Sequence, residues 1–432
     1  MASVDVPVAL LGYGTVGLAV DRLLRQQAAD IERATGHRLR VVRALVRDPT
    51  KERAGDVPVT TDFADIRDDP EVAVVAELMG GLEPTGEYVL ELLRGGKPVV
   101  TANKQLVAHR SAELFAAAAD SGVQLRFEAS VCAAIPVIKV LREALVVSNV
   151  HRVLGIVNGT TNFVLTEMER GASYDQALAE AQRLGFAEAD PTEDVSGKDA
   201  AAKMAILATV AFGSRVTLDE VAFEGLERVQ PEHVAAAREM EMTVRLVGAA
   251  TLVDGQVDVR VRPALVDRHH PLASVEGAFN AVMLQGDAIR EIMLEGPGAG
   301  GLETASAVVA DLVSVVGTTG TGFLQNDACW RELPFLPAGE VAAPFYVRLE
   351  VADRPGVLAL VAQRLAVHGV SIARLVQHQS AEGATLHIVA HEAPERQLRL
   401  ALAEIEGLEE TRGAASALPV ISDRGVAGLG WR

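Results

Sequence analysis

Short apolar runs alternate with amphipathic segments over the N-terminal third of the chain. Residues 6–11 and 72–79 are apolar runs of strand length, and glycines follow each of them directly. Residues 18–27 repeat their apolar positions at helical spacing, and residues 40–46 form another strand-like run. Strands that alternate with helices are typical of a parallel sheet covered on both faces, so the pattern predicts an α/β domain. Its further elements are a helix at 87–94 and strands at 97–101 and 123–127.

The first glycine turn has the spacing of a dinucleotide-binding loop. Gly12, Gly14 and Gly17 follow the first strand in the sequence GYGTVG, and Thr15 and Val16 open the helix behind it. In such a loop the first glycine allows the tight turn, the second admits the pyrophosphate, and the third lets helix and strand pack closely. The N–H groups of the helix N-terminus attract the phosphates. This context favours dinucleotide binding over a glycine-rich turn of some other α/β protein.

The residue after the second strand bears on which nicotinamide dinucleotide is used. A site selective for NAD offers an acidic residue to the adenosine ribose, whereas this strand ends in Arg47, with Lys51 nearby. Arginine pairs well with a 2′-phosphate, so Arg47 favours NADP. Asp48 leaves NAD open, and a plain surface arginine is the structural alternative.

Glycines and polar residues also follow the later strands. Gly80 and Gly81 come after 72–79, while Thr101 ends the strand at 97–101 and Lys104 follows it. The carboxyl ends of parallel strands meet at the ligand-binding edge of a doubly wound sheet. We therefore expect Gly80, Thr101 and Lys104 to face the cofactor. An exposed lysine after a strand is the alternative interpretation of Lys104.

The densest charge lies at 184–203, around the start of an apolar helix at 197–212. The ionisable side chains there are Glu188, Asp190, Glu193, Asp194, Asp199 and Lys203. Charge beside a helix that must be buried predicts a site rather than a solvated turn, although Asp190 and Glu193 are interpreted as loop charges. Asp199 and Lys203 are four apart and share a helix face. The structural alternatives are a capping box from Ser196 to Asp199 and a surface ion pair of Asp199 with Lys203.

Beyond residue 137 the pattern predicts a mainly antiparallel sheet with helices on one face. The predicted helices lie at 160–170, 174–184 and 197–212, within 229–247, and at 304–316. The predicted strands lie at 252–263 and within 280–295. A segment rich in glycine and proline precedes residues 345–405, which predict the order βαββαβ. The expected domains are a dinucleotide-binding domain at 1–137, a substrate and dimerisation domain at 138–301, a linker at 326–344 and a small domain at 345–432.

Composition indicates an acidic globular protein with several domains. Its 432 residues are too many for a single hydrophobic core, so several domains are expected. Its formal net charge is −18 and its pI is about 5.1. That charge argues against binding to nucleic acid or to an anionic membrane. No apolar run of the sequence has membrane-spanning length, and we expect no signal peptide because no basic stretch precedes the first apolar run. Cys132 and Cys329 stand in unrelated contexts, which favours a reducing cytoplasm.

Eight sequence blocks occur in an order that resembles the homoserine dehydrogenase family. They are LLGYGTVG, ELMGGLEPT, VVTANKQLVA, FEASVCAAIPVIK, GIVNGTTNFVLTEM, GFAEADPTEDVSGKDAAAK, EGPGAG and TASAVVADL. The resemblance spans residues 5–318 and implies a Rossmann-type domain, to which 302–325 return, and an α+β substrate domain. It also implies the NAD(P)-dependent, reversible reduction of L-aspartate 4-semialdehyde to L-homoserine, a step in threonine, methionine and isoleucine biosynthesis.

The resemblance implies roles for particular residues. Lys104 lies near the nicotinamide in the family and is the candidate acid/base, with Lys203 as the alternative. The implied catalytic residues are Lys104, Lys203 and Asp199. The implied substrate ligands are Glu188, Asp194 and Lys203. The implied cofactor contacts include Gly300, and a monovalent cation, Na⁺ or K⁺, is implied at Glu128 and at the backbone carbonyls of Val131, Ala133 and Ile135.

The chain departs from the family pattern at a few positions. Cys132, Ala133 and Ala134 stand where an alanine and two glycines are expected. Phe186 stands where the family has an aromatic residue with a hydroxyl group, and Glu295 stands where it has a tyrosine. These changes concern the shape of the substrate pocket rather than the reaction class. Cys132 also raises the alternative of a phosphorylating semialdehyde dehydrogenase with a cysteine nucleophile, for which a small buried cysteine is the structural interpretation.

The C-terminal βαββαβ order resembles an ACT domain, a ferredoxin-like module that binds amino acids. Its ligand-binding turn matches 353–358, which implies effector contacts at Asp353, Gly356 and Val357. Threonine is the effector expected from the pathway. Such modules pair edge to edge, so we expect a homodimer or homotetramer. The alternatives are a dimerisation module without a ligand and, for the whole chain, an amino-acid sensor without turnover.

Overall fold

The structure, a computed structural model, describes residues 3–227, 229, 231, 234, 237–238, 242–253, 255–317, 342–380, 383–413 and 415–419. The chain divides into two compact units, Met1–Trp330 and Arg331–Arg432. Two sheets belong to the first unit and one to the second. None of the described helices combines the length and apolarity that a membrane crossing needs.

The first sheet is parallel, with the spatial order β3-β2-β1-β4-β5-β6. Its strands are β1 (Val4–Leu11), β2 (His37–Leu45), β3 (Val59–Thr60), β4 (Val74–Glu77), β5 (Val99–Thr101) and β6 (Leu125–Arg126). The strand order reverses between β1 and β4, and ligands of such sheets bind outside the carboxyl ends of the strands at that point. The predicted Rossmann-type arrangement is confirmed.

Helices cover both faces of this sheet. They are α1 (Thr15–Gln26), α2 (Ala28–Thr35), α3 (Ala64–Arg67), α4 (Thr85–Arg94) and α5 (Lys104–Asp120). Val8 and Leu10 of β1 belong to the core that includes α1, whereas Ala9 and Leu11 belong to the core that includes α4 and α5. This alternation follows the two-residue period of a strand, and both sets are apolar because both faces are buried.

The second sheet is mainly antiparallel, with the order β12-β11-β7-β9-β10-β8. Its strands are β7 (Val150–Ile156), β8 (Ala222–Phe223), β9 (Met242–Val253), β10 (Gln256–Asp267), β11 (Phe279–Gly286) and β12 (Arg290–Pro297). The short β8 pairs in parallel with β10.

One prediction in this region was confirmed and another was wrong. The helix predicted within 229–247 is present, because the described residues 231, 234, 237 and 238 are helical, and β9 begins after it at Met242. The segment 252–263, predicted as one strand, spans the end of β9, a hairpin turn and the start of β10, because Gly255 turns the chain with φ of 76°. The dipeptide Asp254-Gly255 is typical of hairpin turns, so the sequence carried a signal that the prediction did not use.

The helices of the second region connect the two sheets. They are α6 (Val137–Lys139), which continues as a π-helical turn (Val140–Ala144), α7 (Gly159–Glu169), α8 (Tyr174–Leu184), α9 (Thr192–Val195) and α10 (Lys198–Phe212). α7 and α10 pack on one face of the second sheet, as expected, and α10 also packs on α5. One continuous core therefore links this region to the parallel sheet.

The helix α11 (Gly301–Gly317) returns to the parallel sheet. Its buried residues Ala305, Val308 and Leu312 share a core with Val8 and Leu10 of β1. The domain boundaries inferred from the sequence stay predictions, and most of the linker at 326–344 lies outside the described residues.

The second unit has the predicted βαββαβ order. Its elements are β13 (Ala342–Val351), α12 (Val357–Val367), β14 (Ile372–Ser380), β15 (Gly383–Pro394), α13 (Glu395–Glu406) and β16 (Ser416–Pro419). The sheet is antiparallel with the order β14-β15-β13-β16, and both helices contribute residues to its single core.

Candidate active site

Three charged side chains meet where α5 and α10 begin. Lys104 is the first residue of α5, while Asp199 and Lys203 lie one turn apart on α10. Lys104 Nζ contacts Asp199 Oδ1, and Lys203 Nζ lies 2.8 Å from Asp199 Oδ2. Lys203 Nζ also donates a hydrogen bond to the carbonyl of Val157 at 2.8 Å. One carboxylate thus joins a lysine beside the parallel sheet to a lysine beside the second sheet.

Burial distinguishes these three side chains. The Asp199 side chain is 3% exposed and that of Lys203 is 11% exposed, whereas that of Lys104 is 34% exposed. The pair of Asp199 and Lys203 is therefore buried and is not a surface ion pair. The capping box from Ser196 is also absent, because Gly197 is the N-cap of α10 and no described side chain caps this helix.

The buried pair holds both of its members in the charged form. Burial alone would raise the pKa of Asp199, but Lys203 and Lys104 hold it well below its usual range. Burial alone would lower the pKa of Lys203, but Asp199 raises it above the ordinary value. At neutral pH the site therefore contains a fixed carboxylate and a fixed ammonium.

A second carboxylate, Asp194, faces the same cluster. The Nδ2 of Asn158 donates to Asp194 Oδ1 at 2.7 Å and to Asp199 Oδ2 at 2.8 Å. Thr160 Oγ1 lies 3.1 Å from Asp194 Oδ2. Burial raises the pKa of Asp194, and the negative charge of Asp199 raises it further. Asn158 was not among the side chains predicted from the sequence.

Glu188, the other predicted acidic substrate ligand, lies outside this network. Its side chain is exposed, and among the described residues its carboxylate has no hydrogen-bonding or ion-pair partner. Phe186 is 45% exposed and packs its ring 5.1 Å from that of Phe163. Its backbone carbonyl accepts a hydrogen bond from Thr160 Oγ1.

The glycine loop after β1 has the shape that a dinucleotide needs. Gly12 has φ of 105°, and a Cβ there would lie 2.9 Å from the Leu78 carbonyl oxygen. A Cβ at Gly17 would lie 2.4 Å from the Gly12 carbonyl oxygen, so both glycines are required by packing. Nothing lies within 4 Å of a Cβ at Gly14, the N-cap of α1, and no described side chain caps that helix. An open, uncapped helix N-terminus fits a pyrophosphate.

The ends of β4 and β5 are organised by Glu77, which was not predicted as a site residue. Its buried carboxylate accepts hydrogen bonds from Thr101 Oγ1 at 2.5 Å and from the N–H groups of Met79 at 2.7 Å and Gly80 at 3.1 Å. Burial raises the pKa of Glu77. Its carboxylate thus holds two predicted cofactor contacts, Gly80 and Thr101. An acidic residue inside the apolar run at 72–79 was the available sequence signal.

The remaining predicted cofactor contacts lie at the ends of other elements. Arg47 is exposed just after β2. Gly300 has φ of 143° and directly precedes α11. A Cβ at Gly301 would lie 2.9 Å from Cγ2 of Thr15, so this second glycine loop meets the first turn of α1.

The predicted cation site is a buried loop beside Glu128. The Glu128 carboxylate accepts hydrogen bonds from the backbone N–H groups of Ile138 and Lys139, each at 2.8 Å. Burial raises the pKa of Glu128 to about 7. Cys132 and Ala133 have φ of 54° and 34°, a region that favours glycine, the residue expected here at Ala133. Among the described residues, no three His, Cys, Asp or Glu side chains gather to hold a metal ion. Backbone carbonyls with a single carboxylate are hard oxygen donors, which fit Na⁺ or K⁺ better than a transition metal.

Cys132 lacks the properties of a nucleophile. It is 1% exposed, and burial raises the pKa of its thiol to about 11. A catalytic cysteine instead needs a lowered pKa and access to its substrate. The structure therefore argues for a small buried cysteine rather than for phosphorylating semialdehyde dehydrogenase chemistry.

The predicted effector turn of the second unit lies beside a cavity. Residues of 351–358 line a space of about 380 Å³ together with Gln377 and Leu386. The Asp353 carboxylate accepts hydrogen bonds from the side-chain amides of Gln377 and Gln379, each at 3.3 Å. Gly356 has φ of 95° and is the N-cap of α12, and the next residue, Val357, is buried.

Comparison with known proteins covers nearly the whole chain. Residues 12–128 match the family "Homoserine dehydrogenase, NAD binding domain", residues 136–313 match "Homoserine dehydrogenase", and residues 345–410 match "ACT domain". The homoserine dehydrogenase of Mycobacterium tuberculosis (strain ATCC 25618 / H37Rv) is 42% identical over 96% of this chain and 97% of its own length.

Solved structures agree with this match. A crystal structure of a homoserine dehydrogenase from Thiobacillus denitrificans is 41% identical, with a TM-score of 0.72, and the match covers 97% of this chain and 99% of the other. A hyperthermophilic archaeal homoserine dehydrogenase in complex with NADPH is 28% identical, with a TM-score of 0.63, over 74% of this chain and 99% of the other. The chain therefore belongs to the homoserine dehydrogenase family of oxidoreductases and carries a C-terminal ACT domain.

Proposed function

We propose that this chain reversibly reduces L-aspartate 4-semialdehyde to L-homoserine at the cluster of Lys104, Asp199 and Lys203. The family supplies the reaction class. The observation that supports the location is the joining of two lysines from different regions of the fold by one buried carboxylate. Lys104 follows β5 at the carboxyl edge of the parallel sheet, which is the edge where such sheets bind their cofactors.

Lys104 is assigned as the acid/base. When bound, the reduced nicotinamide supplies a hydride to the aldehyde carbon, and the carbonyl oxygen then needs a proton. Lys104 keeps solvent access and has N–H donors beyond the one directed at Asp199, so it can donate to that oxygen. Lys203 is buried with a raised pKa, which favours a role in holding Asp199 over proton transfer. In the oxidative direction Lys104 releases its own proton to solvent and then accepts the hydroxyl proton of homoserine.

The substrate is a zwitterion and needs both signs of charge. We assign Asp194 and the exposed Glu188 to the ammonium group of homoserine. Lys203 and the N–H groups at the N-terminus of α7 are assigned to its carboxylate, because a helix N-terminus favours an anion. The amide of Asn158 already fixes the direction of the Asp194 carboxylate.

NADP is proposed as the preferred cofactor, with NAD as the alternative. Arg47 is exposed at the end of β2, where the adenosine ribose lies in Rossmann-type domains. The archaeal relative in complex with NADPH supports the use of this cofactor within the family. A monovalent cation is proposed at Glu128 and the carbonyls of Val131, Ala133 and Ile135.

Regulation and assembly are assigned to the ACT domain. The cavity beside Asp353, Gly356 and Val357 is proposed to bind an amino-acid effector, threonine being the one that the pathway favours. A homodimer or homotetramer in the cytoplasm is the proposed state of the protein.

The test is turnover of L-homoserine by the full-length protein, with NADP and NAD supplied separately. Reduced nicotinamide should form with both, at a higher kcat/KM with NADP, and Arg47→Ala should lower that preference. Lys104→Met should bind cofactor normally but lose activity about 10²- to 10⁴-fold. Lys198→Met, an exposed lysine on the same helix as Lys203, is the control and should stay active.

Two outcomes would change the proposal. No turnover with either cofactor, in buffer that contains Na⁺ or K⁺, would favour the amino-acid sensor. Full activity of Lys104→Met would move the acid/base role to Lys203 or to water.

A further inference from the structure

Asn158 joins the two carboxylates of the site through one neutral side chain. Its Nδ2 donates to Asp194 at 2.7 Å and to Asp199 at 2.8 Å. A primary amide has two N–H donors, and the two carboxylates use both of them. Asn158 is 4% exposed, so water does not compete for these bonds.

The orientation of this amide is fixed by α7. Asn158 is the N-cap of the helix, and its Oδ1 accepts the N–H of Thr161 at 2.9 Å and the hydroxyl of Thr161 at 3.0 Å. Turning the amide over would place its oxygen against two carboxylates and its N–H groups against another N–H. The turn itself is held by Gly159, since a Cβ there would lie 2.6 Å from the Ala278 carbonyl oxygen.

The Asn158 amide must be uncharged because the two carboxylates that it joins already repel each other. The groups that face Asp194 are Asp199 and Lys203 from α10, with Asn158 and Thr160 from the N-terminus of α7. Lys104 of α5 contacts Asp199, the carboxylate that shares the Asn158 amide with Asp194. A carboxylate in place of the amide would add a third negative charge, and an ammonium would compete with the substrate for Asp194. An amide holds both partners without either effect.

We propose that Asn158 is a positioning residue: its amide holds the Asp194 carboxylate for the substrate ammonium and the Asp199 carboxylate for Lys104 at one fixed separation. This proposal rests on the proposed function, because Asp194 has a substrate role only in that reaction. Asn158 acts through the two carboxylates and is not itself a catalytic residue.

Two substitutions separate this role from helix capping. Serine and aspartate are both good N-caps, so Asn158→Ser and Asn158→Asp keep an acceptor for the N–H of Thr161. Neither retains two donors for the carboxylates. A hydrogen bond to a charged group corresponds to about 10- to 100-fold in a binding or rate constant. We therefore expect KM for homoserine to rise by about 10- to 100-fold in Asn158→Ser, with a smaller fall in kcat and unchanged KM for NADP.

The pH profile gives an independent readout. Because the amide favours the ionised form of Asp194, its loss should move the acid limb of kcat/KM to higher pH. The shift should be larger in Asn158→Asp, where a further negative charge faces Asp194. The control is Ser173→Ala, which removes the N-cap of α8 outside the cluster. It should lower Tm and leave KM and the pH profile unchanged.

The proposal is overturned if Asn158→Ser keeps the native KM for homoserine and the native acid limb. It is also overturned if its kinetics change only in proportion to a loss of folded protein, as seen by calorimetry. Carbon-13 NMR of aspartate-labelled protein, with Asp194→Asn to assign the resonance, follows the carboxyl titration without turnover. A native chain inactive with homoserine would refute the proposed function. An unshifted Asp194 titration in Asn158→Ser would refute the positioning role.

Discussion

Replacing Asp199 by asparagine tests the buried centre of the site. The substitution keeps the size of the side chain but removes the charge that two lysines share. Lys104 is 34% exposed and regains solvation from water. Lys203 is 11% exposed and keeps the Val157 carbonyl and the neutral amide oxygen at position 199 as acceptors, so its buried ammonium loses the carboxylate paired with it.

The size of the effect follows from burial. Removing one partner of a buried ion pair costs about 3–5 kcal/mol, because the other charge stays in the interior. The unit that contains the site spans Met1–Trp330. With an unfolding entropy of about 2.1 cal/mol/K per residue, that cost lowers Tm by about 4–7 °C. Glu180→Gln is the matched control, because it breaks an exposed ion pair with Arg183, and exposed pairs contribute little to stability.

The loss of folding stability in Asp199→Asn should depend on pH, and the structure predicts the direction of that dependence. In the native chain Asp199 raises the pKa of Lys203, so the stability that this lysine contributes is lost only as pH rises through its folded pKa, above the ordinary 10.5. In Asp199→Asn the effect of burial dominates and lowers that pKa. The unfolded state then binds more protons, and the stability of the variant rises with pH below about 10.5. The deficit should therefore be larger at about pH 7 than at about pH 9.5.

Differential scanning calorimetry of the full chain measures this deficit. The transition of the first unit is identified as the one that NADP shifts. A drop in Tm below about 1 °C at neutral pH would refute the burial argument. A deficit that does not shrink at alkaline pH would show that Lys203 is not the group left without a partner.

Three further predictions concern ligands. Gly14→Ala should keep the native Tm, because nothing lies within 4 Å of the new Cβ, but it should weaken NADP binding measured by titration calorimetry. Gly17→Ala should also lower Tm, since its Cβ would lie 2.4 Å from a carbonyl oxygen. Na⁺ or K⁺ should raise Tm more at about pH 8 than at about pH 5.5, since a cation favours the ionised form of Glu128, whose pKa is about 7; equal shifts would count against the predicted site. Threonine should lower activity in the native chain and not in Asp353→Ala, and unchanged activity and Tm in the native chain would refute the assigned effector.

Local pattern accounts for most of the fold that the sequence predicted. The first strand, the glycine turn and α1 are adjacent in sequence, and each follows from apolar spacing and glycine geometry. The prediction failed at 252–263, where it joined the end of β9, a turn and the start of β10 into one strand, and it gave no strand at 242–251. Residues 242–253 form a strand because they pair with β7 and β10, and such pairing is set by distant residues rather than by local propensity.

The site was predictable only where its members share one element or a family motif. Asp199 and Lys203 pair four residues apart, which a helix guarantees. Glu77 meets Thr101 across 24 residues, and Asn158 meets Asp194 across 36, so no spacing rule reveals these contacts. The first contact exists because β4 and β5 are neighbours in the sheet, and the second because the start of α7 lies beside α9 and α10.

The balance of charges in the cluster explains why position 158 requires a neutral side chain as strictly as the other positions require charged ones. Lys104 and Lys203 carry two positive charges, and Asp194 and Asp199 carry two negative charges when ionised. Homoserine adds one charge of each sign, so a balanced cluster can bind it without leaving a net charge in a partly buried site. Any ionisable residue at position 158 would break that balance. A residue that both caps α7 and supplies two donors without charge satisfies every constraint there, and asparagine is the side chain that does so.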